Sequence, residues 1–507
     1  MIPVLLILIP LLAGLASFFI KNENSVRIWA LFSVIITLVI SLAGFSFLKE
    51  ARYLEHHSEW MPVLGSSFSL KLDGMGQLLC LLTAIAYPVI FISTWKTSYK
   101  NASGFFALML LGQAGLMGVF LAMDALLFYF FWELALIPMY FLCSIWGGEK
   151  RIRVTFKFFI YTFVGSVLML IGILFVYSKT PDQSFAINSF YNASLSMGQQ
   201  NLLFWLFFIA FAVKMPIFPF HTWQPDTYEQ SPTATTMVLS GVMVKMGLLG
   251  LIRWLLPLLP LAANNWATLV STLCVIGIIY ASLIAMRQDD LKRLVAYSSI
   301  AHIGLMCLAV FANNKIGLQG VMIQMFNHGI NIIGLWMVVE IIERQFKTRK
   351  ISELGGLAQK APALAIFLVI IAMANIALPL TNGFVGEFMM FNGIFQSNVY
   401  DGSYTIFGSI SLNARNFATI YTVLAGIGII LAAVYTLNMI RKVFYGNTNE
   451  LTVSGYDIKI NEKLALGIVV ILIFWMGIYP QGMLNVTQEI SDSILNKADV
   501  LQVLKKH

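Results

Sequence analysis

Leu203-Phe-Trp-Leu-Phe-Phe-Ile-Ala-Phe-Ala-Val-Lys214-Met-Pro216-Ile-Phe-Pro219-Phe-His221 is the stretch that decides how this chain folds. Its apolar run is about as long as a bilayer-spanning helix needs. Yet it carries a lysine, and Pro216 and Pro219 remove backbone donors and break the helix. Broken helices at membrane depth survive only where protein or a hydrated cavity satisfies the freed backbone, which is the habit of transport pathways. The segment therefore predicts a discontinuous spanning helix inside a larger bundle.

Composition supports that reading. Of 507 residues, 59% are hydrophobic and 11% charged, against roughly 45–50% and about 25% in soluble domains. So few charges cannot clothe a soluble surface of this size, so the chain reads as an all-α polytopic membrane protein. The net charge of +8 is spread over short loops, with no basic patch for nucleic acid. Cys80, Cys143, Cys274 and Cys307 stand singly in apolar runs, so no iron–sulfur or haem attachment spacing occurs. Nucleotide-binding glycine motifs are absent as well.

Apolar stretches recur near 3–20, 27–48, 76–95, 104–122, 125–146, 155–177 and 201–220, then near 233–254, 266–286, 294–312, 316–342, 363–397, 415–440 and 463–482. They predict about fourteen spans. The first lacks a basic leader and reads as a helix, not a signal peptide. Lys and Arg concentrate in the odd-numbered loops, from Lys21 and Arg27 through Arg287, Lys292 and Arg293 to Lys459 and Lys463. The even-numbered loops hold only Lys49, Arg52, Lys71, Lys179, Arg253, Lys315 and Arg415. This bias predicts cytoplasmic odd loops, both termini outside, and a bacterial inner membrane. Ser67–Asp73 alternates as a short external strand does. Val486, Ile490, Ile494, Leu501 and Leu504 recur at helical spacing, as in an interfacial helix or a tail packed on protein.

A second interruption, Leu378-Pro-Leu-Thr-Asn-Gly383, breaks the 363–397 stretch. The breaks fall in spans 7 and 12, five apart, and a shift of five reverses orientation. Spans 4–8 (104–260) and 9–13 (261–445) are thus expected to form two inverted five-helix repeats. Residues 1–103 supply three preceding helices, and 446–507 the last span and the interfacial segment.

Strongly ionisable residues inside the spans are few: Glu133, Lys214, Lys245 and Glu387, with His302 and His328, while His221 ends the seventh span. A charge at the bilayer centre costs about 2.5–3.5 kcal/mol on the lenient scale. Such groups must face the bundle interior and pair or hydrate. Plainer roles exist: Glu133 bonding to backbone freed by Pro138, Lys214 satisfying loose carbonyls, the histidines sitting as packed core residues. Lys245 is too deep to snorkel. Asn327 and Asn331 give His328 a polar helix face. Burial disfavours a charged amine and a nearby carboxylate favours it.

Phe131-Trp-Glu-Leu-Ala-Leu-Ile-Pro138, Lys214-Met-Pro-Ile-Phe-Pro-Phe-His-Thr-Trp-Gln-Pro-Asp226, Ser231-Pro-Thr-Ala-Thr-Thr-Met-Val-Leu-Ser-Gly-Val-Met-Val-Lys-Met-Gly247 and Leu294-Val-Ala-Tyr-Ser-Ser-Ile-Ala-His-Ile-Gly304 resemble the antiporter-like subunits of respiratory complex I. In Gly383-Phe-Val-Gly-Glu-Phe388 the branch is narrowed further, because subunits L and N and the large Mrp antiporter subunits usually have lysine where Glu387 stands. The resemblance implies that Glu133 and Lys214 form the paired carboxylate and lysine, Lys245 the central relay lysine and Glu387 the terminal carboxylate. His221, His302 and His328 would support the relay. It also implies L-type and N-type neighbours on either side, lipid contacts, protons as the transported species, and no cofactor in this chain. NADH, FMN, iron–sulfur clusters and quinone would lie elsewhere in the assembly. Tyr228 stands where bacterial relatives commonly have a second loop histidine, so no role passes to it. The competing readings are an Mrp-type cation/proton antiporter subunit, a membrane subunit of a hydrogenase- or ferredoxin-linked complex, and a scaffold, the last opposed by the cost of four buried charges.

Overall fold

The computed structural model describes residues 1–46, 50–400, 404–406 and 410–503, and among them the chain is overwhelmingly helical. The helices that matter are α1 (Ile2–Ser17), α2 (Glu23–Ser46), α3 (Gly74–Ser93), α4 (Ala102–Leu121), α5 (Ala125–Trp146), α6 (Arg151–Tyr177), α7 (Met197–Lys214), α8 (Trp223–Gln230) and α9 (Thr233–Leu258). They continue with α10 (Pro260–Arg287), α11 (Leu291–Phe311), α12 (Lys315–Phe346), α13 (Pro362–Asn375), α14 (Asn382–Phe395), α15 (Ala414–Val443), α16 (Ile460–Ile478) and α17 (Gln481–Val503). Eleven of the described helices are long and apolar enough to cross a bilayer, and α1 and α13 are shorter apolar helices.

Both expected interruptions are present. Span 7 stops at Lys214 and restarts as α8 at Trp223; span 12 is two helices, α13 and α14, parted by residues 376–381. Each break lies beside one long helix: α6 packs on α7 and α8, and α12 on α13 and α14.

Charge and packing sort the helices radially. The central α9, α11 and α12 are buried almost throughout, whereas α2, α6, α15 and α16 turn most of their apolar residues outward. Lipid is as apolar as leucine, so close packing rather than water exclusion must hold the centre, and small residues permit it. A Cβ on Gly329 of α12 would meet the Gly241 carbonyl of α9 at 2.8 Å. A Cβ on Gly247 of α9 would meet the Phe211 carbonyl of α7 at 2.6 Å. On Gly386 of α14 it would lie 2.3 Å from Gln324 Oε1 of α12. Each such crossing sits within a turn of a charged residue.

The expected external strand is one arm of a hairpin: β1 (Glu55–Met61) pairs antiparallel with β2 (Ser66–Lys71). Asp124, fully buried, fastens that hairpin to the bundle. It caps α5 at Leu126 and Leu127 (3.0 and 3.1 Å) and accepts from Ser66 and Ser67 (both 2.9 Å). The C-terminal α17 packs on α3, α9, α10 and α12, so the tail is a helix laid on protein. Leu504 and Lys49 lie outside the described residues, as does the side chain of Leu501. Arg253, expected in a loop, is instead a buried residue of α9. It donates to Asp73 (2.7 Å) and to the Phe120 carbonyl (2.7 Å).

Candidate functional site

Four of the residues singled out from sequence come together. Lys245 lies on α9 between two π-helical segments, Leu239–Met243 and Gly250–Leu255, a winding often found at functional positions. Its Nζ donates to the Ser240 carbonyl (2.9 Å) and lies 2.9 Å from His328 Nδ1. The Gly241–Gly329 crossing makes that contact possible, because Gly329 follows His328 and Gly241 precedes Lys245 by one turn. His328 Nε2 is 3.3 Å from Ser299 Oγ of α11. Its ring stands 5.8 Å, centroid to centroid, from that of His302, one turn along the same helix. His302 Nδ1 lies 3.1 Å from Glu387 Oε1 of α14, which also accepts from Gln324 Nε2 of α12 (3.4 Å).

Hydrogen bonding orders the protons. An ammonium at Lys245 donates to Nδ1 of His328, placing that ring's proton on Nε2, toward Ser299. The Glu387 carboxylate accepts from His302 Nδ1, which leaves His302 Nε2 as an acceptor; it is buried and has no protein partner. A small pocket of about 20 Å³ opens beside His302, Glu387 and Tyr435, room for one water molecule. Around this line, Asn327 donates to the Asn382 carbonyl at the start of α14 (2.8 Å). Tyr435 of α15 and Asn375 of α13 both donate to Ser298 (2.9 and 3.3 Å).

Lys214 and Glu133 form a second, looser group. Lys214 is buried at the end of α7, its Nζ 5.3 Å from the Trp132 ring centroid, a cation–π contact. Glu133 follows Trp132 on α5 and is half-buried. No ion pair within 4.0 Å joins the two among the described residues. Neither Lys214 Nζ nor Glu133 Oε1 has a hydrogen-bonding partner in the protein, so the backbone near Pro138 is not what holds that carboxylate oxygen. Between this pair and Lys245 no direct bond runs. Gln113, Gln224, Tyr228 and Thr235 on α4, α8 and α9 also bury polar atoms without protein partners.

His221 belongs to neither group. Its ring packs against Phe218 (5.8 Å) and Tyr280 (5.3 Å), with Nδ1 unpartnered. Sequence reasoning missed Ser299, Gln324 and Asn382. Gln324 was legible in principle: it shares the polar face of α12 with Asn327, His328 and Asn331 at helical spacing. Among the described residues no cluster of three or more metal-ligating side chains occurs.

Comparison with known proteins gives this geometry a lineage. A family described as the NADH:quinone oxidoreductase/Mrp antiporter transmembrane domain matches residues 122–413, which contain every residue of the site. The chain belongs to that family. Subunit M of NADH-quinone oxidoreductase from Rickettsia bellii is 36% identical over 447 residues, 88% of this chain and 86% of the relative. The Escherichia coli K12 subunit M is 36% identical over 506 residues, 95% of each chain. The structure of respiratory complex I from Thermus thermophilus with bound NADH contains a chain that superposes with a TM-score of 0.86. It is 25% identical, and the match covers 98% of this chain and 100% of that one. The branch resemblance carried by Gly383–Phe388 is therefore to subunit M, and this is an antiporter-like membrane subunit.

Proposed function

We propose that the chain is the subunit-M component of an NADH–quinone oxidoreductase and carries protons across the membrane through Glu133, Lys214, Lys245, His328, His302 and Glu387. Quinone reduction elsewhere in the assembly supplies the drive. The observation that carries this reading is the bonded line from Lys245 through His328 toward His302 and Glu387, buried where lipid tolerates no idle charge. NADH, FMN, iron–sulfur clusters and quinone belong to other subunits, L-type and N-type subunits flank this one, and both termini face the periplasm. The two five-helix repeats, 104–260 and 261–445, are inverted copies that place the two groups near mid-membrane.

In this reading Glu133 stabilises the ammonium of Lys214 when close and frees its proton when drawn away. The proton passes by water through the unpartnered polar atoms of α4, α8 and α9 to Lys245. Lys245 gives a proton to His328 Nδ1 as His328 Nε2 gives one up toward His302, and His302 Nδ1 passes one to Glu387 for release. Glu387, in place of the lysine usual in Mrp subunits, favours this over a cation/proton antiporter. Lys214→Ala or Glu133→Ala in the assembled complex should abolish the proton movement of this subunit while NADH oxidation by an artificial acceptor stays near wild type. Undiminished proton translocation by both variants would refute the reading.

A further inference from the structure

The site leaves unexplained how an event at Lys214 is felt by His302 on α11 and His328 on α12, which no bond from Lys214 reaches. A set of charges at the cytoplasmic end, outside the proton line, supplies a link. Lys157, Asp226, Arg293, Glu229, Arg349, Glu343 and Lys292 form an unbroken chain of ion pairs, and Asp290 joins it at Arg349. Four carboxylates meet four cations, so the cluster is neutral. Asp226 and Glu229 belong to α8, the eight-residue second half of the broken span. Asp226 pairs with Lys157 on α6 (2.9 Å), and the remaining partners come from the other side of the expected repeat boundary: Arg293 on α11 (3.1 Å to Asp226, 2.9 Å to Glu229) and Arg349 in the segment after α12 (3.0 Å to Glu229). Arg349 is itself fixed to the start of α11, since Leu291 N donates to its carbonyl (3.0 Å).

The other end of α8 is tied to the lysine. Trp223 Nε1 donates to the carbonyl of Val213 (3.0 Å), the residue before Lys214. A helix of eight residues is about 12 Å long, short and stiff, with one end bound to the turn that bears Lys214. Its far end is clamped to the helix that bears Ser299 and His302, about 9 Å and 13 Å beyond Arg293 along α11.

We propose that α8 is a mechanical link between the two halves of the subunit. The Trp223–Val213 bond and the Asp226/Glu229–Arg293 clamp transmit displacement of the Lys214 turn to α11, so Arg293, Asp226 and Glu229 are positioning residues for proton transfer at Ser299 and His302. The inference rests on the proton-relay reading above. It is distinct from it, because the clamp itself carries no proton.

The test uses the assembled, membrane-reconstituted complex with Glu229→Gln, Arg293→Gln and the double variant, alongside Lys214→Ala. Assembly is read on native gels, and protons translocated per NADH oxidised report coupling. Each single variant is expected to lower that ratio and to slow proton-coupled quinone reduction at least threefold, with assembly and artificial-acceptor activity retained. The double variant, which leaves no unpaired charge between 229 and 293, is expected to be no worse than either single. Arg293→Lys, which reaches one carboxylate at a time, should fall in between, and it serves as the test if the glutamine variants do not assemble. Wild-type ratios in the glutamine variants, single-variant losses that multiply in the double, or a wild-type Arg293→Lys complex where the glutamine variants fail would overturn the link. If Lys214→Ala loses pumping while the clamp variants keep it, the link alone is wrong; if Lys214→Ala pumps normally, the relay reading falls first.

Discussion

The contact between Lys245 and His328 depends on two glycines, and the two are not equivalent. A methyl group added at Gly329 would meet the backbone carbonyl of Gly241 at 2.8 Å and both Leu82 methyls at 2.7 Å. A methyl at Gly241 would meet mainly the flexible end of Ile333, at 2.7 and 2.8 Å, with the Gly329 carbonyl at 3.5 Å. Ordinary carbon–oxygen contact begins near 3.4 Å, so Gly329→Ala must open the α9–α12 crossing by about 0.6 Å. One turn away, the 2.9 Å Lys245–His328 bond would stretch to about 3.5 Å, beyond normal hydrogen-bond reach. A charge-assisted hydrogen bond contributes about 1.5–3 kcal/mol, and each 1.4 kcal/mol is tenfold in rate. Gly329→Ala is therefore expected to slow proton-coupled turnover about 10- to 100-fold. Gly241→Ala, absorbed by a rotamer change of Ile333, should lie within about threefold of wild type. Both are read by proton uptake and quinone reduction in proteoliposomes holding equal amounts of assembled complex. If Gly329→Ala pumps like Gly241→Ala, the Lys245–His328 distance does not govern transfer and the reasoning fails.

Other expectations follow from charges away from the relay. Arg253→Met strands Asp73 at the mouth of α3. Breaking a buried pair by removing one partner costs about 3–5 kcal/mol, so the solubilised complex should lose this subunit at lower temperature, and adding Asp73→Asn should recover most of the loss. Equal loss in the single and double variants would deny the pair its role. Asp226 lies on α8, between the apolar stretches 201–220 and 233–254. Burial pushes its carboxyl up, but hydrogen bonds from Lys157 and Arg293, together with their charges, hold it below the usual aspartate value. A depressed carboxylate stabilises fully above the unfolded pKa, about 3.9, and loses that contribution as pH falls through the lower folded value. The gap in thermal stability between wild type and Asp226→Asn should thus be flat from about pH 5 to 8 and close only below about pH 4. A gap that varies across the neutral range would show that another group controls it.

Most of the bundle was legible because a bilayer enforces one rule on every segment: an apolar run long enough to span. Both breaks announced themselves through proline and glycine. Arg253 misled the loop assignment because hydropathy sees a charge near a helix end and cannot see Asp73, distant in sequence, waiting for it. The external strand was read as one arm only, since β1, Glu55-His-His-Ser-Glu-Trp-Met61, has no clean alternation to mark it. The buried charges were legible singly, as costly residues in apolar surroundings. Their grouping was not, because it is set by where helices cross, at Gly241 with Gly329 and at Gly386 with Gln324. A lone glycine in an apolar run does not say which helix it admits. The ion-pair chain around α8 was likewise invisible, since its four cations count from sequence only as loop charges that set topology.

The hydrogen-bond directions in the site constrain how the proposed relay works. At rest Lys245 faces an acceptor nitrogen on His328, while His302 keeps an unpartnered acceptor nitrogen, Nε2, and directs a donor, Nδ1, toward Glu387. One proton advancing from Lys245 to Glu387 moves the proton of each ring from one nitrogen to the other. Both imidazoles are then in the wrong tautomer to repeat the step, so the rings must turn or exchange protons with water before another passes. A line that resets only after reorientation does not leak continuously down a membrane potential, which charges about 2.3 kcal/mol per proton at 100 mV. Reorientation requires space, and the two rings sit on α11 and α12, the former gripped through Arg293. A relay built this way must reset its rings once per proton, and a stiff connection from the Lys214 turn to α11 would time that reset.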